Sequence, residues 1–336
     1  MRYYDVTIES TTVDGGVSPL VPVTYTSMDA NGNFLPTALQ CELDLPVNSF
    51  AAPAGLGTIK LRGVSFADLS QSNYLVKRNV TVRGGMTKGL PLAKPAQAGV
   101  LFQGFVYQAF GNWQGNDVSL DLILAPVAGS AATPVNLAGK WVKGQGMQAF
   151  IEQMLTQAYP GCTITGTLSS NLTATQDVPI KYTNMFDFST WALRTSLTVN
   201  NQRNNAAATY LGVQITQRGN NQFYLFDGTV SPTPTVIDYT DLIGNGTWLG
   251  IAQVQFKVVL RADVAVGDLI QLPDKANLIN IVNSFSQYRQ GVSFKNQFIV
   301  TRVRHLGNSR QVDADSWVTI IDAVLSDQQF SDEQVY

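Results

Sequence analysis

Charge is scarce in this chain. Its 336 residues include 22 Lys and Arg and 24 Asp and Glu, 14% together, against about 25% in an ordinary soluble domain. Free monomers stay soluble largely through surface charge. Here 47 Asn and Gln stand in for it, a neutral surface that suits a subunit largely covered by neighbours. The formal net charge of −2 lacks the basic footprint that non-specific nucleic-acid binding requires. No apolar run approaches the ~18 residues of a membrane span. The start of the chain shows no apolar signal core and opens directly on strand alternation, so synthesis in a cytoplasm is expected.

Cysteine and histidine are scarcer still. Cys41 and Cys162 are the only cysteines, too few for a disulfide framework or a metal quartet, and both are expected as buried free thiols. The one histidine, His305, stands between Arg304 and Leu306 in a strand pattern, with no Ser or Cys in a nucleophile context beside it. It is expected at a barrel rim or a subunit contact rather than as a general base. Carboxylates recur in pairs at Asp238/Asp241, Asp263/Asp268 and Asp313/Asp315. All three lie in turn-like contexts where Asp serves local hydrogen bonding, which argues against glycosidase chemistry. The run Arg83-Gly-Gly-Met-Thr-Lys-Gly-Leu-Pro91 lacks the Gly-Lys-Ser/Thr ending and the following helix of a phosphate-cradling loop. No catalytic, cofactor-binding or metal-ligating residue is assigned, no cofactor is expected, and the chain is not read as an enzyme.

Strand alternation is what the chain has in abundance. Apolar residues recur at every second position in Tyr4–Ile8, Val21–Tyr25, Leu39–Leu45, Ile59–Leu61 and Val118–Leu124, and further strand-like runs include Tyr74, Val76, Val80 and Val82 and the stretch Val100–Tyr107. Clusters of Gly, Asn, Asp and Pro separate these runs, the pattern of a sandwich or barrel. Pro126–Pro134 reads as a linker. Met147, Phe150, Ile151, Met154, Leu155 and Ala158 then form an apolar stripe at helical spacing, ended by Pro160-Gly161. A second helix is predicted from about Met185 to Leu197, capped by Asn184 or Asp187. Tyr210–Asp227 reads as a hairpin turning at Gly219-Asn-Asn221. From Trp248 to Val324 alternation resumes at Val254, Phe256 and Val258, and at Val264, Val266, Leu269 and Leu272, as in a small antiparallel barrel. The fold class is therefore mainly β with a small α insertion (α+β). It divides into an N-terminal barrel at 1–128, a helix-containing domain with a hairpin at 129–230 and a C-terminal barrel at 231–336.

The string from Ala252-Gln-Val-Gln-Phe-Lys to Arg261-Ala-Asp-Val-Ala-Val-Gly-Asp-Leu-Ile-Gln-Leu-Pro273 resembles the C-terminal part of baseplate hub proteins of contractile-tailed bacteriophages. So does the return Phe298-Ile-Val-Thr-Arg-Val-Arg-His-Leu-Gly307 with Trp317-Val-Thr-Ile-Ile-Asp322. The resemblance implies two tail-tube-like barrels per subunit and a homotrimer. Such a ring would join a sixfold tail tube, or a tube-initiator protein, to a threefold central spike. It further implies baseplate wedge proteins as neighbours, a place in the virion tail, and DNA as a passenger through the bore. Contact loops are expected at Arg83–Pro91, Asn112–Asn116 and Lys275–Phe294, since loops carry contacts on rigid scaffolds, with the polar tail Asp327–Tyr336 either disordered or an arm. A β-rich receptor- or carbohydrate-binding protein is the alternative of a different class.

Overall fold

The computed structural model describes residues 2–10, 21–52, 55–86, 97–126, 135–204, 210–219, 221–229, 233–250, 252–273 and 297–326. The first strands are β1 (Arg2–Ile8), β2 (Val23–Thr26), β3 (Gln40–Asn48) and β4 (Gly57–Arg62). After the short helix α1 (Phe66–Ser70) come β5 (Asn79–Met86), β6 (Gly99–Gln114) and β7 (Asp117–Ala125). A helix-bearing stretch follows: β8 (Leu137–Trp141), α2 (Met147–Ala158), β9 (Thr163–Gly166), β10 (Val178–Tyr182), α3 (Met185–Asn204), β11 (Gln214–Gly219) and β12 (Gln222–Phe226). The chain then returns to strands with β13 (Thr235–Val236), β14 (Thr247–Trp248), β15 (Gln253–Val259), β16 (Leu269–Gln271), β17 (Gln297–Asn308) and β18 (Trp317–Leu325).

Alternation places the core. Cys41, Leu43 and Leu45 of β3 point inward, as do Val254, Phe256 and Val258 of β15. The stripe of α2 is buried at Met147, Phe150, Ile151, Met154 and Leu155. Asn184 caps α3 reciprocally with Asp187: its Oδ1 accepts the Asp187 amide at 2.8 Å and its Nδ2 donates to the Asp187 carboxylate at 2.7 Å. The helix runs on past Leu197 to Asn204.

Two stretches of alternation are not strands. Tyr74 lies in a 3-10 turn, and Lys77 takes a left-handed φ of 67° that breaks the run before β5. Upstream, the Ser65 hydroxyl accepts the Asp68 amide and starts α1, a helix the periodicity does not predict. Val264 and Val266 are buried from a turn, not a strand. The Asp268 carboxylate accepts the Ala265 amide at 2.8 Å, and Gly267 sits at φ 90°.

Thirteen described strands form one sheet. Its main path is β14-β15-β18-β17-β3-β4-β7-β6-β5-β1-β2, with β16 on β17 and β13 on β16. The N-terminal and C-terminal strands, separate in the sequence reading, are thus joined edge to edge. Antiparallel β17 and β3 run in register from Arg302 opposite Asn48 to Asn308 opposite Glu42. Each half curls about its own core. The Tyr4 hydroxyl of β1 donates to the Leu39 carbonyl just before β3, although four strands lie between β1 and β3 in the sheet. Arg2 donates to the carbonyls of Asn308 at 2.7 Å and Asp313 at 3.0 Å. In the second half, Leu242 bridges to Val258 of β15 only six residues after β13. That short connection carries the chain from the β16 side round to the β15 side. Between the halves, residues 137–225 pack a third core of their own, into which Phe50 projects.

Candidate interaction surface

The β6–β7 hairpin carries the predicted contact loop Asn112–Asn116, turning at Gly115 with φ 61°. Its exposed feature is aromatic. Trp113 is 67% exposed and its indole Nε1 donates to the Gly115 carbonyl at 2.7 Å. Phe66 at the start of α1, 59% exposed, meets it edge to face at 5.3 Å. Leu69 of the same helix packs against Gly111, where any Cβ would lie 3.0 Å from it. The capped helix and the small residue together hold two large rings still and in water. Exposed aromatics cost solvation free energy, and here two of them lie against each other at the surface. Arg83–Met86, the start of another predicted loop, is instead the end of β5, with Arg83 3.6 Å from Asp5. Residues 87–91, the linker at 127–134, the loop Lys275–Phe294 and the tail Asp327–Tyr336 lie outside the described residues.

On the outer face of β17, β3, β4 and β7 lies an open groove of about 570 Å³, lined among others by Asp44, Lys60, Phe110, Asp121, Leu306 and Asp315. Its charges are matched across the strands. Arg304 holds Asp44 with both nitrogens at 2.8 and 2.6 Å, Lys60 lies 3.7 Å from Asp121, and Lys257 lies 3.2 Å from Asp315. Arg62 bonds both Glu42 and Asp117. These hydrogen bonds hold the Arg62 and Arg304 guanidinium groups above their ordinary pKa. The groove is neutralised, with its carboxylates engaged as structural partners.

The histidine is not on a rim. Inward alternation on β17 buries His305 to 3% exposure, paired with Leu45 on one side and Thr319 on the other. Its Nδ1 lies 3.0 Å from the Thr319 hydroxyl, and burial pushes its pKa down to about 3. Thr319 in turn accepts the Arg261 amide at 3.0 Å. The buried Arg261 guanidinium holds Asp263 through two bonds of 2.6 and 2.7 Å and reaches Asp241 at 3.4 Å, while Gln97 donates to Asp241 at 2.7 Å. The seam between the halves is thus polar and internally bonded. The carboxylates also regroup across the sequence pairs. Asp241 and Asp263, assigned to different pairs, share one arginine, whereas Asp268 turns to Arg218 and Asp315 to Lys257. Cys41 is buried and Cys162 half-buried; both are free, and burial raises the Cys41 thiol pKa. Among the described residues no three His, Cys, Asp or Glu side chains gather as a metal site, and no helix is long and apolar enough to cross a membrane.

Sequence reasoning named the hairpin loop but missed Phe66, which lies 47 residues from Trp113. The local signal was Ser65-x-x-Asp68, a helix start. No family model and no curated protein sequence matches the chain. Its fold does have counterparts among solved structures. One is the 43 kDa tail protein of prophage MuSo2 from Shewanella oneidensis, with a TM-score of 0.53 at 8% identity over 96% of this chain and 97% of that one. Another is the tail protein from Neisseria meningitidis MC58, with a TM-score of 0.50 at 9% identity over 96% of each chain. Over 96% of its length, this β-rich chain shares the fold of these two tail proteins.

Proposed function

We propose that this chain is a structural component of a phage tail baseplate: a trimeric hub that joins a sixfold tail tube to a threefold central spike. The observation that carries this reading is likeness in fold to two tail proteins along nearly the whole chain. The two curled halves are read as tail-tube-like barrels, two per subunit, so that three subunits present six. The residue ranges 1–128, 129–230 and 231–336 are read as the corresponding three domains. A tail tube or tube-initiator protein, the spike and wedge proteins are the partners, and DNA passes through the bore. The low charge of the chain supports burial among neighbours, and the Phe66–Trp113 pair supplies an apolar contact patch. Light scattering on the purified protein should give three times the 36.5 kDa of one chain, and negative-stain images should show a ring with a central hole. A monomer that persists at high concentration would end the hub reading.

One observation favours a second reading. Exposed aromatic rings also stack on sugar rings, so Phe66 and Trp113 fit a receptor- or carbohydrate-binding tail protein. Glycan-array binding that disappears in W113A, with no trimer in solution, would select it.

A further inference from the structure

The stretch from β8 to β12 has its own core, centred on Phe150, Met154, Phe188 and Phe223. Its seam with the large sheet is built differently. Two partly open pockets lie along it. One of about 220 Å³ is bounded by Ser49, Ala52, Leu193, Leu211, Gln214 and Phe226. A smaller one of about 70 Å³ lies between Val47, Phe50, Phe102, Gln103 and Arg218. Polar contacts cross the seam beside them. The Phe50 amide donates to the Ile215 carbonyl at 2.8 Å, the Thr216 hydroxyl to Asn48 O at 3.3 Å, and the Gln217 amide group to Gln103 O at 3.0 Å. The first uses the backbone edge of β11 that does not pair with β12, and the other two are made by β11 side chains. Phe226, packed in the C-terminal core, anchors the other end of the hairpin.

One residue spans from this hairpin to the far half. The Arg218 guanidinium lies 3.5 Å over the Tyr224 ring, which aims it outward. From there it donates to Val266 O at 2.9 Å and to the Asp268 carboxylate at 2.6 Å. The turn it grips fits closely, since a Cβ on Gly267 would stand 2.7 Å from Tyr224. The pockets interrupt the packing along the seam, leaving Phe50 and Phe226 as the buried aromatic side chains that cross it. Polar interfaces between units of one chain permit relative motion.

We propose that the helical unit is a hinged module held closed by an arginine latch. In this device Arg218 grips the Val266–Asp268 turn, and its release lets the β11 edge part from residues 48–50. The proposal rests on the seam alone and stands apart from any role in a tail. A partly exposed ion pair is screened by salt, so ionic strength should operate the device.

Residue-resolved hydrogen exchange on the full chain tests it. In R218M the Phe50 amide should exchange roughly five- to tenfold faster, the scale of one lost ion pair and ring stack. The amides that bond β11 to β12 should keep their rates. Wild-type protein in about 1 M NaCl, where the screening length is about 3 Å, should shift the same way, and R218M should not respond further. Two results overturn the proposal. One is an unchanged Phe50 rate in both R218M and high salt. The other is acceleration of the β11–β12 amides in step with Phe50, which is local unfolding rather than hinging. The salt series needs no variant, so the question is answered even if R218M folds poorly.

Discussion

His305 shows how far a residue's neighbours in space can depart from its neighbours in sequence. Between Arg304 and Leu306 it reads as a polar interruption of a strand, yet alternation turns it inward against Thr319. Its folded pKa of about 3 lies below the ordinary 6.5, so the unfolded chain takes up a proton that the native state refuses. Stability is therefore unaffected well above pH 6.5 and falls as pH drops from 6.5 toward 3, with a slope approaching about 1.4 kcal/mol per pH unit from this group. Carboxylates add their own acid dependence, so the test is a difference. Urea midpoints measured between pH 7 and pH 4 should fall less steeply in H305Q than in the wild type. Equal slopes would mean that the imidazole is already solvated in the native state. The strand was legible from its pattern, but the burial of His305, expected at a rim or a subunit contact, was not. Nor was its hydrogen-bond partner, because Thr319 arrives from another strand.

At the scale of elements, the seams divide into buried and exposed ion pairs, and the two kinds should behave differently. Arg261 sits with its side chain 4% exposed among Asp241, Asp263 and Thr319, where two halves of the sheet meet. Removing it leaves a buried carboxylate without its cation, so R261M should lower unfolding free energy by about 3 kcal/mol or more, nearly independent of salt. Arg304 and Asp44 form a bidentate pair as well, but on the outer face with about two-fifths of each side chain exposed. R304M should cost less than about 1 kcal/mol, and that cost should vanish in high salt. Denaturant titrations at two ionic strengths separate the pair; equal costs would show that both sites see the same solvent. The helix α2 and the β11–β12 hairpin could be read from local spacing, since their partners lie within one stretch of chain. Helix α1 escaped because its five residues are too few to express a period.

The whole molecule is one sheet shared by two halves, with a helical unit set between them. On the hub reading, the Phe66–Trp113 patch should matter to assembly and not to folding. W113A should leave the denaturant midpoint within about 0.5 kcal/mol of wild type while weakening self-association at least roughly tenfold, as loss of an aromatic anchor does. Sedimentation equilibrium would record it; unchanged association would move the ring contact elsewhere on the chain. The sequence by itself determined the β-rich class, the place of the two main helices, the inward face of strand after strand, and the low charge of the surface. These follow from periodicity and composition, which are local. Only the tertiary structure decided that β17 lies against β3, that Asp241 and Asp263 share Arg261, and that Phe66 stands beside Trp113. Each is a meeting of segments distant in the chain. Backbone hydrogen bonding between strands is indifferent to side-chain identity, so no residue pattern announces which strand will be the neighbour.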